Sequence, residues 1–221
     1  MNSVAKTLGK VLAEFVGTGL LVAVVVGSGI MGSSLSQDAG VALLINAFST
    51  VFALALLIYV LGPISGAHFN PAVTIVELAT KKLAASQALL YIAAQILGAI
   101  GGSILANVMF NQTAVQFSTH TRFSTGTFIG EVLATAGLLV VIGVLSHRGQ
   151  GAIIPVAVAT WIGSAYFFAS STSFANPAVT IGRVFTNTFA GIAPDSVMPF
   201  IAAQLIGALI GMLVVRGVAR G

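Results

Sequence analysis

Six long apolar runs decide what this chain can fold into. They cover roughly Val11–Met31, Val41–Leu61, Leu83–Met109, Thr127–Leu145, Ala152–Ala169 and Met198–Val218. Each is near the roughly 20 residues a helix needs to cross a bilayer. Charged residues are only 6% of the 221 positions, where a soluble domain carries about a quarter. Such a chain cannot cover a water-facing surface. An all-α, multi-pass membrane protein is expected, in one transmembrane domain over 1–221. The run after Lys10 is too long for a cleaved leader and reads as the first span.

Six spans place both termini on one side. Lys6, Lys10, Lys81, Lys82, Arg148, Arg216 and Arg220 then share that side, and Arg122 and Arg183 face the other. Basic residues concentrate on the cytoplasmic side of membrane proteins, so both termini are expected in the cytoplasm. The net charge of +4 has the same origin. No basic stripe with interleaved aromatics suggests nucleic acid. There is no cysteine, no cluster with metal-ligand spacing and no nucleophile–base pair. No cofactor and no enzymatic chemistry are expected.

The chain repeats itself. Asn70-Pro71-Ala72-Val73-Thr74-Ile75 recurs as Asn176-Pro177-Ala178-Val179-Thr180-Ile181. Glu14 and Thr18 recur as Glu131 and Thr135, and Gln95 with Gly98 recurs as Gln204 with Gly207. The units run over about 8–110 and 125–218. Each holds three spans, so the second copy enters the membrane inverted, as in many transporters with a midplane site.

The apolar pieces Asn70–Ala79 and Asn176–Phe185 are too short to span. Asn is a good N-cap and Pro suits the first helical turn. Each piece therefore predicts a half-helix whose N-terminus points at the bilayer centre. Irregular backbone at that depth must be buried or line a watery path. Gly66, Ala67 and His68 in one half, and Ser173, Phe174 and Ala175 in the other, are expected to offer carbonyls along such a path. Asn70 and Asn176 are expected to donate at its centre. Each helix N-terminus carries roughly half a positive charge, a barrier to protons and cations.

These motifs, with Ser65 to Thr74, Glu14 and Glu131, resemble the aquaporin or major intrinsic protein family over essentially the whole chain. The resemblance implies the hourglass fold with two re-entrant half-helices, a homotetramer with one pore per subunit, and passive conduction of water and small neutral solutes through lipid, here in a bacterial inner membrane. It also implies a four-residue filter. Counting from the motifs without gaps puts that filter at Thr50, Ser164, Ser173 and Val179. Water-selective members carry an aromatic, a histidine, a small residue and an arginine there. Thr50, Ser164 and Val179 replace three of these, so a wider, hydroxyl-rich constriction without the arginine's donors is expected. It suits glycerol-like solutes and trihydroxy metalloids such as arsenous acid. A water-selective pore and a coupled secondary transporter are the alternatives.

Arg183 follows Val179 by one turn. It is either a displaced cation of the pore mouth or a side chain reaching the interface. Glu14 and Glu131 are either proton-coupling groups or acceptors for the re-entrant loops, the latter favoured by their repetition. His68 is expected to line the path or to gate it. Glu77 matches Arg183 in the first half. Gly98, Gly101, Gly102, Gly207 and Gly211 are expected at helix crossings. His120, His147 and Trp161 are expected in loops or at the interface.

Overall fold

The computed structural model describes residues 3–218. Arg220, expected on the basic side, lies outside the described residues. The helices are α1 (Ser3–Leu35), α2 (Ala39–Ser65), α3 (Pro71–Ala79), α4 (Ala85–Met109), α5 (Thr125–His147), α6 (Ile154–Phe168), α7 (Pro177–Gly182) and α8 (Pro194–Val218). Short 3-10 turns precede α6 and follow α7, over Gly151–Ile153 and Arg183–Phe185. The described residues contain no strand. All except α3 and α7 are long and apolar enough to cross a membrane, α6 together with its preceding 3-10 turn.

Polarity is inside out, as lipid requires. Leu8, Phe52, Leu89, Leu133, Val156 and Leu209 are exposed, whereas Glu14, Gln95, Asn107, Glu131 and Gln204 are fully buried. The buried polar groups can persist only because they bond to one another. Helix starts are marked in the sequence. Asp38 Oδ1 accepts from the backbone N–H of Gly40 at 2.7 Å and of Val41 at 3.1 Å. Ser124 and Thr127 form a reciprocal capping box on α5. Such a cap is worth about 1 kcal/mol.

Helix α1 packs on α4, and α5 packs on α8 in the same manner. Both crossings need small residues. A methyl group on Gly102 would strike the Gly19 carbonyl, and one on Gly207 would strike the Val132 carbonyl. Gly101 differs from expectation: nothing lies within 4 Å of its Cβ position, so it is not at a crossing. Trp161 differs too. Its indole N–H donates to the Ala134 carbonyl at 2.8 Å, and its ring fills the space beside Gly137, binding α6 to α5. Helix α1 begins at Ser3 rather than near Val11, because a span can carry exposed lysines on a turn beyond the lipid.

The polar segment 110–124 lies across the mouth next to α7. Ser118 N–H donates to the Val184 carbonyl at 2.9 Å, and Ala193 N–H to the His120 carbonyl at 2.8 Å.

Candidate functional site: a lumen through the bundle

One cavity of about 270 Å³ follows the axis between the two halves. Glu77, Lys82 and Ser146 line one end, Asn70 and Asn176 the middle, and Tyr166 and Arg183 the other end. The predicted loop residues Gly66, Ala67, His68, Phe174 and Ala175 all line it.

The loops are held in an unusual conformation. Ala67, Phe69, Ser173 and Ala175 have φ between 47° and 54°, a left-handed region that costs a non-glycine residue about 1 kcal/mol or more. Buried carboxylates hold them there. Glu14 accepts from Ser65 Oγ at 2.6 Å, from the N–H groups of His68 and Phe69 at 2.9 and 2.7 Å, and from Gln95 Nε2 at 2.8 Å. Glu131 accepts the equivalent four: Ser171 Oγ at 2.6 Å, Phe174 N–H at 2.9 Å, Ala175 N–H at 2.8 Å and Gln204 Nε2 at 2.6 Å. No peptide bond is cis. In a planar trans peptide the C=O points opposite to the N–H. With those N–H groups turned to Glu14 and Glu131, the carbonyls of Ala67, His68, Ser173 and Phe174 turn away from the carboxylates, toward the lumen. Neither glutamate lines the cavity.

The two asparagines act twice. Asn70 Oδ1 caps α3 through Ala72 N–H at 2.9 Å, and Asn176 Oδ1 caps α7 through Ala178 and Val179 N–H at 2.9 and 3.2 Å. Asn70 Nδ2 donates to the Ala175 carbonyl and Asn176 Nδ2 to the Phe69 carbonyl, both at 2.7 Å. Each amide nitrogen carries two hydrogens, so one remains for the lumen on each side.

Near Arg183 the wall is made of Thr50, Tyr166, Ser173 and Val179. Three of the four expected filter positions are there. Ser164 is not: it is exposed on the outer face of α6, in a shallow groove with Thr160 and Trp161. Val158, Ile162 and Tyr166, spaced by four, form the lumen stripe of α6. Gapless counting from Asn176 missed this because the connection to α7 is irregular and does not keep helical register. The helical stripe itself was the usable signal. Tyr166 Oη donates to Thr50 Oγ1 at 3.1 Å. Ser173 Oγ is buried and has no protein partner. A phenol therefore stands where a small hydroxyl was expected, and the wall is narrower than three small residues would make it.

Arg183 lines the lumen and is only 4% exposed. Its Nε donates to the Ala190 carbonyl, and its guanidinium carbon lies 3.4 Å from the Phe174 ring centroid. It does not reach outward to an interface. An arginine stays protonated in proteins, so this side chain is a fixed cation of the lumen wall. Burial lowers the pKa of Arg122. At the opposite end Glu77 pairs with Lys82 at 3.3 Å. His68 Nδ1 lies 3.0 Å from the Thr74 hydroxyl, and its ring stands edge-on to Tyr91.

Six spans, two half-helices meeting at paired asparagines and a lumen with an apolar wall interrupted by a few polar groups define a membrane channel. The family described as major intrinsic protein matches residues 1–175. Aquaglyceroporin AqpS of Rhizobium meliloti (strain 1021) is 43% identical over 209 residues, covering 94% of this chain and 88% of its own. Aquaporin Z of Brucella melitensis is 27% identical over 226 residues, 95% and 97% of the two chains. The solved aquaglyceroporin from Plasmodium falciparum shares the fold, with a TM-score of 0.72 at 22% identity over 95% of this chain and 93% of that one. The chain belongs to the major intrinsic protein family, whose members are channels and not enzymes.

Proposed function

We propose that the chain is a passive channel for glycerol-sized, uncharged polyhydroxy solutes, with water and trihydroxy metalloids such as arsenous acid in the same group. The hydroxyl-lined wall of Thr50, Tyr166 and Ser173 opposite Val179 carries this reading. Ser173 Oγ is enclosed beside the lumen with no protein partner, so a small side-chain movement that uncovers it lets a passing hydroxyl bond there and regain part of its lost hydration. Val179 offers an apolar face to the carbon side of such a solute. The name of the 43% identical relative, an aquaglyceroporin, agrees. The two half-helix N-termini and Arg183 disfavour cations along the route.

Orientation and assembly belong to the same proposal. Lys82, His147 and Arg216 gather near one mouth, so that mouth and both termini are assigned to the cytoplasm of a bacterial inner membrane. Four copies assemble, each with its own lumen.

Stopped-flow light scattering of proteoliposomes tests the solute. Glycerol, urea and arsenous acid should enter faster than in protein-free vesicles, and sucrose should not. Flux should rise linearly with gradient and ignore ionophores. If water alone crosses, the pore is water-selective. If flux saturates and follows an ion gradient, it is a coupled transporter.

A further inference from the structure

Two guanidinium groups stand at one end of the lumen, Arg183 on its wall and Arg122 behind it. Neither forms an ion pair; Glu131, which holds the Phe174 N–H, acts on Arg183 only through space. The one ion pair among the described residues, Lys82 with Glu77, is at the opposite end. Arg122 reaches in from the segment before α5. Its Nε donates to the Gly191 carbonyl at 2.5 Å and its Nη2 to the Phe189 carbonyl at 2.7 Å. Arg183 Nε takes the carbonyl between them, that of Ala190. Both guanidinium carbons lie against the same ring, 5.5 and 3.4 Å from the Phe174 centroid.

The backbone carbonyls orient these side chains and leave their charge without a contacting carboxylate. They also leave Arg183 half used. Its Nε is its only nitrogen bonded to protein, and neither Nη is enclosed and orphaned, so the terminal nitrogens open onto the cavity. That edge presents parallel N–H donors, a geometry that matches a planar oxyanion in a bidentate pair. A buried cation without a counter-charge is costly, and an anion placed here would relieve two at once. A neutral solute can accept from the donor fork but gains nothing specific from the second positive charge.

We propose that this mouth is a binding site for a small planar monovalent oxyanion, of the nitrate or carboxylate class. Arg183 holds it through its terminal nitrogens, and Arg122 supplies the second positive charge. The anion sits in the solute path next to Tyr166, so its binding and neutral-solute entry are mutually exclusive. The inference rests on the lumen being the solute path.

Nitrate is the probe, with chloride at equal ionic strength as the spherical reference. Glycerol flux into proteoliposomes is measured in each salt, and thermal unfolding of the detergent-solubilised protein is measured beside it. In nitrate, flux should fall about twofold at half-occupancy and the unfolding temperature should rise. Both nitrate-to-chloride differences should vanish in Arg183→Gln, shrink in Arg122→Gln and persist in part in Arg183→Lys. The ratio between salts is the readout, whatever flux each variant retains in chloride. Equal flux and equal unfolding temperature in the two salts for the wild type overturn the proposal. So does a nitrate effect that survives undiminished in both Arg183→Gln and Arg122→Gln. Absence of glycerol flux in chloride overturns the solute-path reading instead, and the unfolding measurement still decides whether the anion binds.

Discussion

Tyr166 and Thr50 join α6 to α2 across the lumen wall, through a phenol O–H that donates to a threonine hydroxyl at 3.1 Å. The bond fixes a ring that would otherwise swing into the path. It also occupies the phenolic hydrogen, leaving the phenol's oxygen as an acceptor for solute.

Tyr166→Phe keeps the ring and removes that acceptor. The glycerol-to-water flux ratio should fall ~2- to ~10-fold, the worth of one hydrogen bond of about 0.5–1.5 kcal/mol. Paired osmotic and solute-gradient measurements on the same vesicles give the ratio. No change would place the phenol outside the solute's contacts.

Val179→Arg puts a long cation into the wall below Arg183. Glycerol flux should drop by about tenfold or more, equivalent to at least about 1.4 kcal/mol of added barrier, while water flux persists. Equal loss of both would indicate misfolding rather than a change in selectivity, and size-exclusion profiles distinguish these outcomes.

Ser164→Ala should leave glycerol and water flux at wild-type values. Ser164 is exposed in the groove beside Trp161 and touches no part of the lumen. A clear change in selectivity would restore Ser164 to the filter and displace Tyr166 from it.

Glu14→Gln and Glu131→Gln should behave alike. Each turns one carboxylate oxygen into an NH2 that faces donors, breaking at least one of four bonds. A cost of about 1–3 kcal/mol per orphaned donor is expected, read as a lower unfolding temperature with lower flux. Wild-type flux should be independent of an imposed pH gradient. Gradient-driven flux abolished by either substitution would give the glutamates a proton-coupling role.

The sequence made the architecture legible because its strongest signals are local. Apolar run lengths, Asn-Pro helix starts and a repeated hexapeptide each act within a few residues. The positions of Thr50, Ser173, Val179 and the loop residues could be counted from those starts. Tyr166 could not, because counting across the irregular 169–176 segment lost the register of α6. The orientation of Arg183 was equally hidden. It depends on the Ala190 carbonyl and the Phe174 ring, contacts the chain makes only once folded. Trp161 shows the same limit: its place is set by the gap at Gly137 on another helix.

The reciprocal amide bonds of Asn70 and Asn176 bear on how the protein is made. The carbonyl that Asn70 requires belongs to Ala175, which is 105 residues later in the chain. A ribosome that has threaded the first three spans into the bilayer has therefore produced a half-helix with its tip unfinished. Nothing synthesised up to that point can complete it. The first half must wait in the membrane, its polar tip shielded by lipid-inserted neighbours or by insertion machinery, until the second re-entrant loop arrives. Closure of the pore centre cannot precede synthesis of the second re-entrant loop, and a truncated chain ending before Ala175 is an expected substrate for membrane quality control.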